Sequence, residues 1–196
     1  VYSKQINRNT LYFRIASFYD DMLVNNFLEE VNVQMDEEVK NIILDIRDNP
    51  GGYVENAKEL TSYILDCDVE MDYEVVDAKG NRERYLIRSK ENPVFQHKNV
   101  YLFVNENTQS SAEYIFARAL KLSMNNLMVI GRNTAGLSGQ AKQYILEKKY
   151  LLSVTIKRYY KVGTKENISC GVEPHITVCD ENNEMQDSYL KWYQTY

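Results

Sequence analysis

The stretch VYLFVNENTQSSAEYIFARALKLSMNNLMVIG, residues 100–131, reads as strand, turn, helix and strand. VYLFV (100–104) and LMVIG (127–131) are short apolar runs with the length of buried strands, and residues from about Ser111 to Leu122 carry helical spacing. Consecutive strands joined by a helix pair in parallel through a crossover, so this segment predicts part of an α/β sheet. It also sets Ser110 and Ser111 beyond the carboxyl end of a strand, where α/β folds place their chemistry.

Outward from this stretch the alternation of strand and helix continues. LYFRIASF (11–18) reads as a strand, and MLVNNFLEEVNVQM (22–35) as a helix with an apolar stripe at Met22, Leu23, Phe27, Leu28 and Val31. NIILDIR (41–47) reads as a buried strand, and VENAKELTSYIL (54–65) as a helix entered through Pro50-Gly51-Gly52. DYEVVDAKGNRERYLIR (72–88) has two alternating arms around Lys79-Gly80-Asn81, a hairpin signal. A β-rich segment follows at 141–162, and the polar CDENNEMQD (179–187) leads toward a terminal helix. The predicted fold class is α/β, a largely parallel sheet plus a β-hairpin. One domain is expected over residues 1–178, with a polar helical tail at 179–196, and neither a repeat nor a linker divides it.

With 196 residues, 44% of them hydrophobic, the chain can bury one sizeable core. A net charge of -5 with interspersed signs offers no field for nucleic acid. Apolar runs such as Ile42–Leu44 and Leu127–Ile130 fall far short of the ~20 residues a membrane helix needs, so no membrane segment is expected in this chain. The opening VYSKQINRNT lacks both an initiator Met and the pattern of a signal peptide, as expected of a piece of a longer chain. Cys67, Cys170 and Cys179 form no CxxC, so neither a zinc site nor a fully paired disulfide framework is expected; no metal or cofactor is implied. Cys170 and Cys179 are either a pair or idle thiols.

Three loops follow the carboxyl ends of predicted strands: DNPGGY (48–53), NENTQSSAE (105–113) and GRNTAGLSG (131–139). In the first, Gly51 and Gly52 can present backbone N–H groups to a developing negative charge with no Cβ in the way, or can simply turn the chain. In the second, Ser110 or Ser111 is either a nucleophile near a helix start or a helix cap, since Ser110-Ser111-Ala112-Glu113 has capping-box spacing. The third resembles a phosphate-binding loop but has Leu137 where the lysine belongs, which argues against nucleotide binding.

Several strings together carry a resemblance: IILDIRDNPGGYVENAKEL (42–60), VYLFVNENTQSSAEYIFARAL (100–120), MVIGRNTAG (128–136), TIKRYYKVG (155–163) and GVEPHITV (171–178). In this order they resemble the catalytic core of the C-terminal processing (tail-specific) serine peptidases, over about residues 10–178. The resemblance implies a crotonase-like α/β core, here without a PDZ domain, and hydrolysis of polypeptide substrates by a serine nucleophile. It also implies an extracytoplasmic setting for the full-length protein, and it leaves the oligomeric state unknown.

Carried over residue by residue, the family's Thr-x-Ser-x-x-Glu pattern falls on Thr108, Ser110 and Glu113 and implies Ser110 as nucleophile. The helix that follows fits better with one inserted residue, and an ungapped helix match selects Ser111 instead. Gly51, Gly52 and the Ser111 amide are implied to hold the oxyanion. The family's general base is a lysine in a Thr-x-Gly-Lys-Gly turn; here the turn is Thr134-Ala135-Gly136-Leu137-Ser138, and leucine cannot accept a proton. Lys142 lies five residues along and is the substitute candidate, although it more simply reads as a solvated strand charge. His97 stands far in sequence from these motifs, and His175 stands within GVEPHITV, where the family commonly has Asp after the proline, and reads as a surface or packing residue. A branch resembling the tricorn protease takes a catalytic histidine from a segment before this core.

Overall fold

The computed structural model describes residues 1–137, 139–161, 170–178 and 187–195. β1 (Tyr2–Asn7) and β2 (Thr10–Arg14) form an antiparallel pair at one edge of the main sheet. α1 (Leu23–Gln34), β3 (Asn41–Asp45) and α2 (Val54–Ile64) follow. β4 (Glu70–Asp77) and β5 (Arg82–Arg88) form the expected hairpin, ahead of β6 (Asn99–Val104). A π-helical turn at Ala112–Ala117 runs into α3 (Arg118–Ser123), which leads to β7 (Leu127–Gly131). β8 (Gly139–Leu146), β9 (Tyr150–Tyr160), β10 (Ile176–Thr177) and α4 (Ser188–Thr195) complete the described chain.

The main sheet has the order β1-β2-β3-β6-β7-β10, and every pair in it after β1-β2 is parallel. Alternation along its central strands sorts side chains onto two cores. Phe13, Ile42, Leu44, Val100, Leu102 and Val129 meet the α1, α2 and α3 layer, whereas Tyr12, Ile43, Phe103 and Ile130 face the opposite way. Both faces are covered, which is why these strands read as continuous apolar runs. α1 turns Leu23, Val24, Phe27 and Val31 inward, each fully buried Leu or Phe contributing about 1.5–3 kcal/mol. Met22, expected in that stripe, precedes the helix and is exposed.

The second face is closed by α4, whose Tyr189 is fully buried and donates from its hydroxyl to the Val104 carbonyl at 3.2 Å. This end of the chain, expected as a polar helical tail, packs its helix against the core. The hairpin β4-β5 joins β8 and β9 in a second, antiparallel sheet of order β5-β4-β9-β8. Among the described residues no helix is long and apolar enough to cross a membrane, and no cluster of metal-ligating side chains occurs. Cys67 and Cys170 carry free thiols, and Cys179 lies outside the described residues.

Candidate active site

The loops after β3, β6 and β7 are stitched together by their own polar groups. Asp48 N–H donates to Asn105 Oδ1 at 2.9 Å, and Asn105 Nδ2 returns a bond to Asp48 Oδ1 at 2.8 Å. Thr108 Oγ1 donates to the Ile46 carbonyl at 2.9 Å, and Gln109 N–H donates to the Asn49 carbonyl at 3.0 Å. The third loop joins them through Ala135 N–H to the Thr108 carbonyl at 3.0 Å. Asn49, Asn105 and Thr108 are buried, so the bonds they make join the three loops away from solvent, while Asp48 and Ala135 are exposed.

Ser110 sits in the left-handed region at φ 56°, a conformation that costs a non-glycine residue about 1–3 kcal/mol and that clusters at functional sites. Its carbonyl accepts the amides of Glu113 and Tyr114 at 2.9 and 3.0 Å, starting the helical segment behind it. Its half-buried side chain lines an open cleft of about 1360 Å³ together with Tyr19, Tyr53, Leu137 and Lys142. Ser111 is buried, and its Oγ donates to the Gly52 carbonyl at 3.1 Å. The two adjacent serines thus differ sharply: one faces the cleft and the other is tied to the glycine loop.

The glycine loop lies directly against the serine turn. A Cβ built on Gly51 would stand 2.7 Å from the Ser110 Cβ and 3.0 Å from the Ser111 amide nitrogen. The expectation that both glycine amides are free needs correcting, because Gly51 N–H is bound by Asn49 Oδ1 at 2.8 Å. Among the described residues the Gly52 and Ser111 amides have no such partner.

The capping-box reading of Ser110–Glu113 also does not hold. No side chain caps the helical segment, and the buried Glu113 carboxylate instead accepts the amides of Gly136 at 2.8 Å and Leu137 at 3.2 Å. Burial pushes this carboxyl above its ordinary value, while the Leu137 and Gly136 amides pull it down. Glu113 thereby draws the Thr134–Leu137 turn up to the serine, and Leu137, 56% exposed, opens into the cleft. The residue that the resemblance aligns with the family lysine is thus at the cleft wall.

The segment after the serines does not begin as an α-helix. A π-helical turn holds one more residue than the α-helical turn it replaces, and Ala112–Ala117 is such a turn. Tyr114 lies within this turn and lines the cleft; no spacing in the sequence signalled it.

Lys142 is an exposed β8 residue on the cleft wall, with its Nζ 5.4 Å from the centre of the Tyr144 ring. Neither histidine lines the cleft. His97 precedes the amino end of β6, opposite the serine turn, and His175 Nδ1 accepts the Val129 amide at 2.9 Å.

A model of peptidase family S41 matches residues 9–178. The chain belongs to peptidase family S41. It is 30% identical over 178 residues to the carboxy-terminal processing protease CtpA of Bacillus subtilis, covering 90% of this chain and 36% of the relative. It is 25% identical over 167 residues to the chloroplastic carboxyl-terminal-processing peptidase 3 of Arabidopsis thaliana, covering 85% of this chain and 31% of that protein. The S41 chain thus spans about a third of the length of these curated relatives. Among solved structures, the photosystem II D1 C-terminal processing protease shares its fold at TM-score 0.66 and 23% identity, covering 86% of this chain and 42% of that one. A crystal structure from Parabacteroides merdae matches at TM-score 0.80 and 19% identity, covering 98% and 62%. The chain is a protease-like α/β domain of the S41 type.

Proposed function

We propose that this domain is the core of a serine endopeptidase that attacks unstructured or C-terminal peptide segments with Ser110. The observation that carries the reading is the pairing of a left-handed, cleft-facing Ser110 with a buried Ser111 bound to the Gly52 carbonyl. Attack forms a bond from Ser110 Oγ to the scissile carbonyl carbon, and the oxyanion is held by the Gly52 and Ser111 amides. Collapse expels the amine, which takes up a proton, and water then hydrolyses the acyl-enzyme.

General-base help is worth about 10²- to 10⁴-fold, and Leu137 cannot give it. Turnover by this chain alone is therefore slow, unless Lys142 shifts toward the serine. Fast turnover calls for a base other than residue 137, and an extracytoplasmic location is part of this reading. The test is reaction of the purified chain with a fluorophosphonate, with the modified residue located by peptide mass. Label on Ser110 that is lost in Ser110→Ala and kept in Ser111→Ala supports the reading; label on Ser111 overturns it.

A second reading is a peptide-binding module on the same fold. It is favoured by Leu137 at the cleft wall and by β8, an edge strand whose Gly139–Gln143 segment lines the cleft and can accept an added strand. Peptide binding that survives Ser110→Ala, with no covalent label on the unmodified chain, selects this reading.

A further inference from the structure

Three arginines of the second sheet, Arg82, Arg84 and Arg88 on β5, are each paired with a carboxylate of β4. Arg158 on β9 is different: it is exposed, and among the described residues its guanidinium has neither a hydrogen-bond nor an ion-pair partner. Its cross-strand neighbours are Val76 on β4 and Gly139 on β8, and neither carries a charge. The pairing of β8 with β9 slips by one residue here: Gln140 faces Lys157, Ala141 faces Thr155, and Ile156 is the extra residue. Such a bulge exchanges the faces of a strand, so Arg158 falls on the side of Ser153 and Thr155, and all three line the cleft that Ser110 lines. The next residue, Tyr159, has its ring 3.9 Å from that of Tyr114, whose amide donates to the Ser110 carbonyl at 3.0 Å. This end of β9 is therefore packed against the serine turn. The cleft, at about 1360 Å³, exceeds the ~300–1,000 Å³ of a small-molecule site and accommodates several residues of an extended chain.

We propose that Arg158 forms a subsite for an acidic side chain, Asp or Glu, of an extended peptide lying in the cleft, a few residues from the bond that Ser110 attacks. This rests on reading the Ser110 cleft as the peptide site. A guanidinium presents parallel N–H donors that match both oxygens of one carboxylate, so it fixes the position of the bound group as well as attracting it. The charged residues lining the cleft divide by wall. Lys142 and Arg158 come from β8 and β9, whereas Asp21 and Glu55 come from the start of α1 and of α2. An acidic side chain is drawn to the first wall and repelled by the second, which sets the register of the peptide. On the first wall Lys142 has its Nζ 5.4 Å from the centre of the Tyr144 ring, and Arg158 is the cation with no such contact.

The experiment is binding of fluorescent, C-terminally amidated peptides to the whole chain, followed by anisotropy. The peptides are unstructured runs of Ala, Ser and Leu in which a single Glu, or its neutral counterpart Gln, is moved from position to position. At one or two positions Glu is expected to bind about 3- to 10-fold tighter than Gln, the scale of a bidentate pair partly open to water. The preference should shrink at about 0.5 M salt, a result that needs no variant. Arg158→Gln should abolish it while leaving the affinity for the Gln peptides unchanged, which a merely structural role would not do. Arg158→Glu should turn the preference toward Lys at the same position. Equal affinity for Glu and Gln at every position, or a preference that Arg158→Gln leaves intact, overturns the subsite. Tighter binding that arises from a free terminal carboxylate and not from Glu overturns the side-chain assignment, and no binding of any peptide overturns the subsite together with the peptide site. Fluorophosphonate labelling of the same samples separates the two readings. Label at Ser110 without a Glu preference removes the subsite and leaves the nucleophile, whereas an Arg158-dependent preference without label at Ser110 removes the nucleophile and leaves the subsite.

Discussion

The Glu113 carboxylate accepts the Gly136 amide through both oxygens, at 2.8 and 3.1 Å, so the segment behind Ser110 holds the turn that carries Leu137. A side chain three positions after the serine thereby fixes a loop more than twenty residues away. The geometry of the cleft depends on that bond more than on any local cap.

Glu113→Ala leaves two half-buried amides unpaired and should cost about 1–3 kcal/mol. For a chain of this size that lowers the thermal midpoint by about 2–12 °C, measurable by calorimetry. A midpoint unchanged within error would show that the turn is held by other contacts.

The same carboxyl sets a pH dependence. Burial raises its folded pKa above the ordinary 4.5, so its contribution to stability is fully present below that value and is lost as pH rises through the folded pKa. Glu113→Gln removes this titration. In urea unfolding across a pH series, the stability of the unmodified chain relative to Glu113→Gln should fall as pH rises above about 4.5. A constant difference would contradict the raised pKa.

Gly51 and Gly52 lie at φ 89° and 144°, and a Cβ on Gly52 would fall 2.3 Å from the Phe18 carbonyl carbon. These contacts are to backbone or to the Ser110 Cβ and cannot be relieved by turning a flexible side chain. Gly51→Ala and Gly52→Ala should each destabilise by about 2 kcal/mol or more and displace the serine turn. Chemical denaturation gives the first effect, and loss of fluorophosphonate label gives the second.

Much of this was legible in the sequence. The period of the apolar residues located the parallel strands β2, β3, β6 and β7 and the helices between them, because both faces of that sheet are buried. β1 escaped because none of its residues is buried and it offers no apolar alternation. The role of Glu113 was hidden for a different reason: its spacing from Ser110 satisfies a capping box, and spacing cannot tell a local acceptor from one facing a distant loop. The π turn carries no spacing that sets it apart from an ordinary helix in the sequence. That β4-β5 and β8-β9 share one sheet is a long-range pairing that no local pattern records.

Arg47 bridges the buried Asp45 to Asp187 and stands 4.3 Å from the centre of the Tyr189 ring, which ties α4 to the sheet. Arg47→Met strips Asp45 of one of its two cationic partners, leaving Arg14 and the Tyr12 hydroxyl. Breaking a buried pair in this way should cost about 3–5 kcal/mol in urea unfolding. A cost below about 1 kcal/mol, the scale of an exposed pair, would contradict the clamp.

The central claim is that Ser110 and residue 137 keep the inherited relation of nucleophile and base, with the base replaced by leucine. Its most direct test is hydrolysis of an unstructured polypeptide by Leu137→Lys beside the unmodified chain. A lysine there places its amine on the cleft wall that Ser110 also lines, where its unprotonated form can take the serine proton. The account predicts a gain of about 10²-fold or more that disappears when Ser110→Ala is added. Strong hydrolysis by the unmodified chain that survives mutation of Lys142, His97 and His175, or a gain that persists without Ser110, would contradict it.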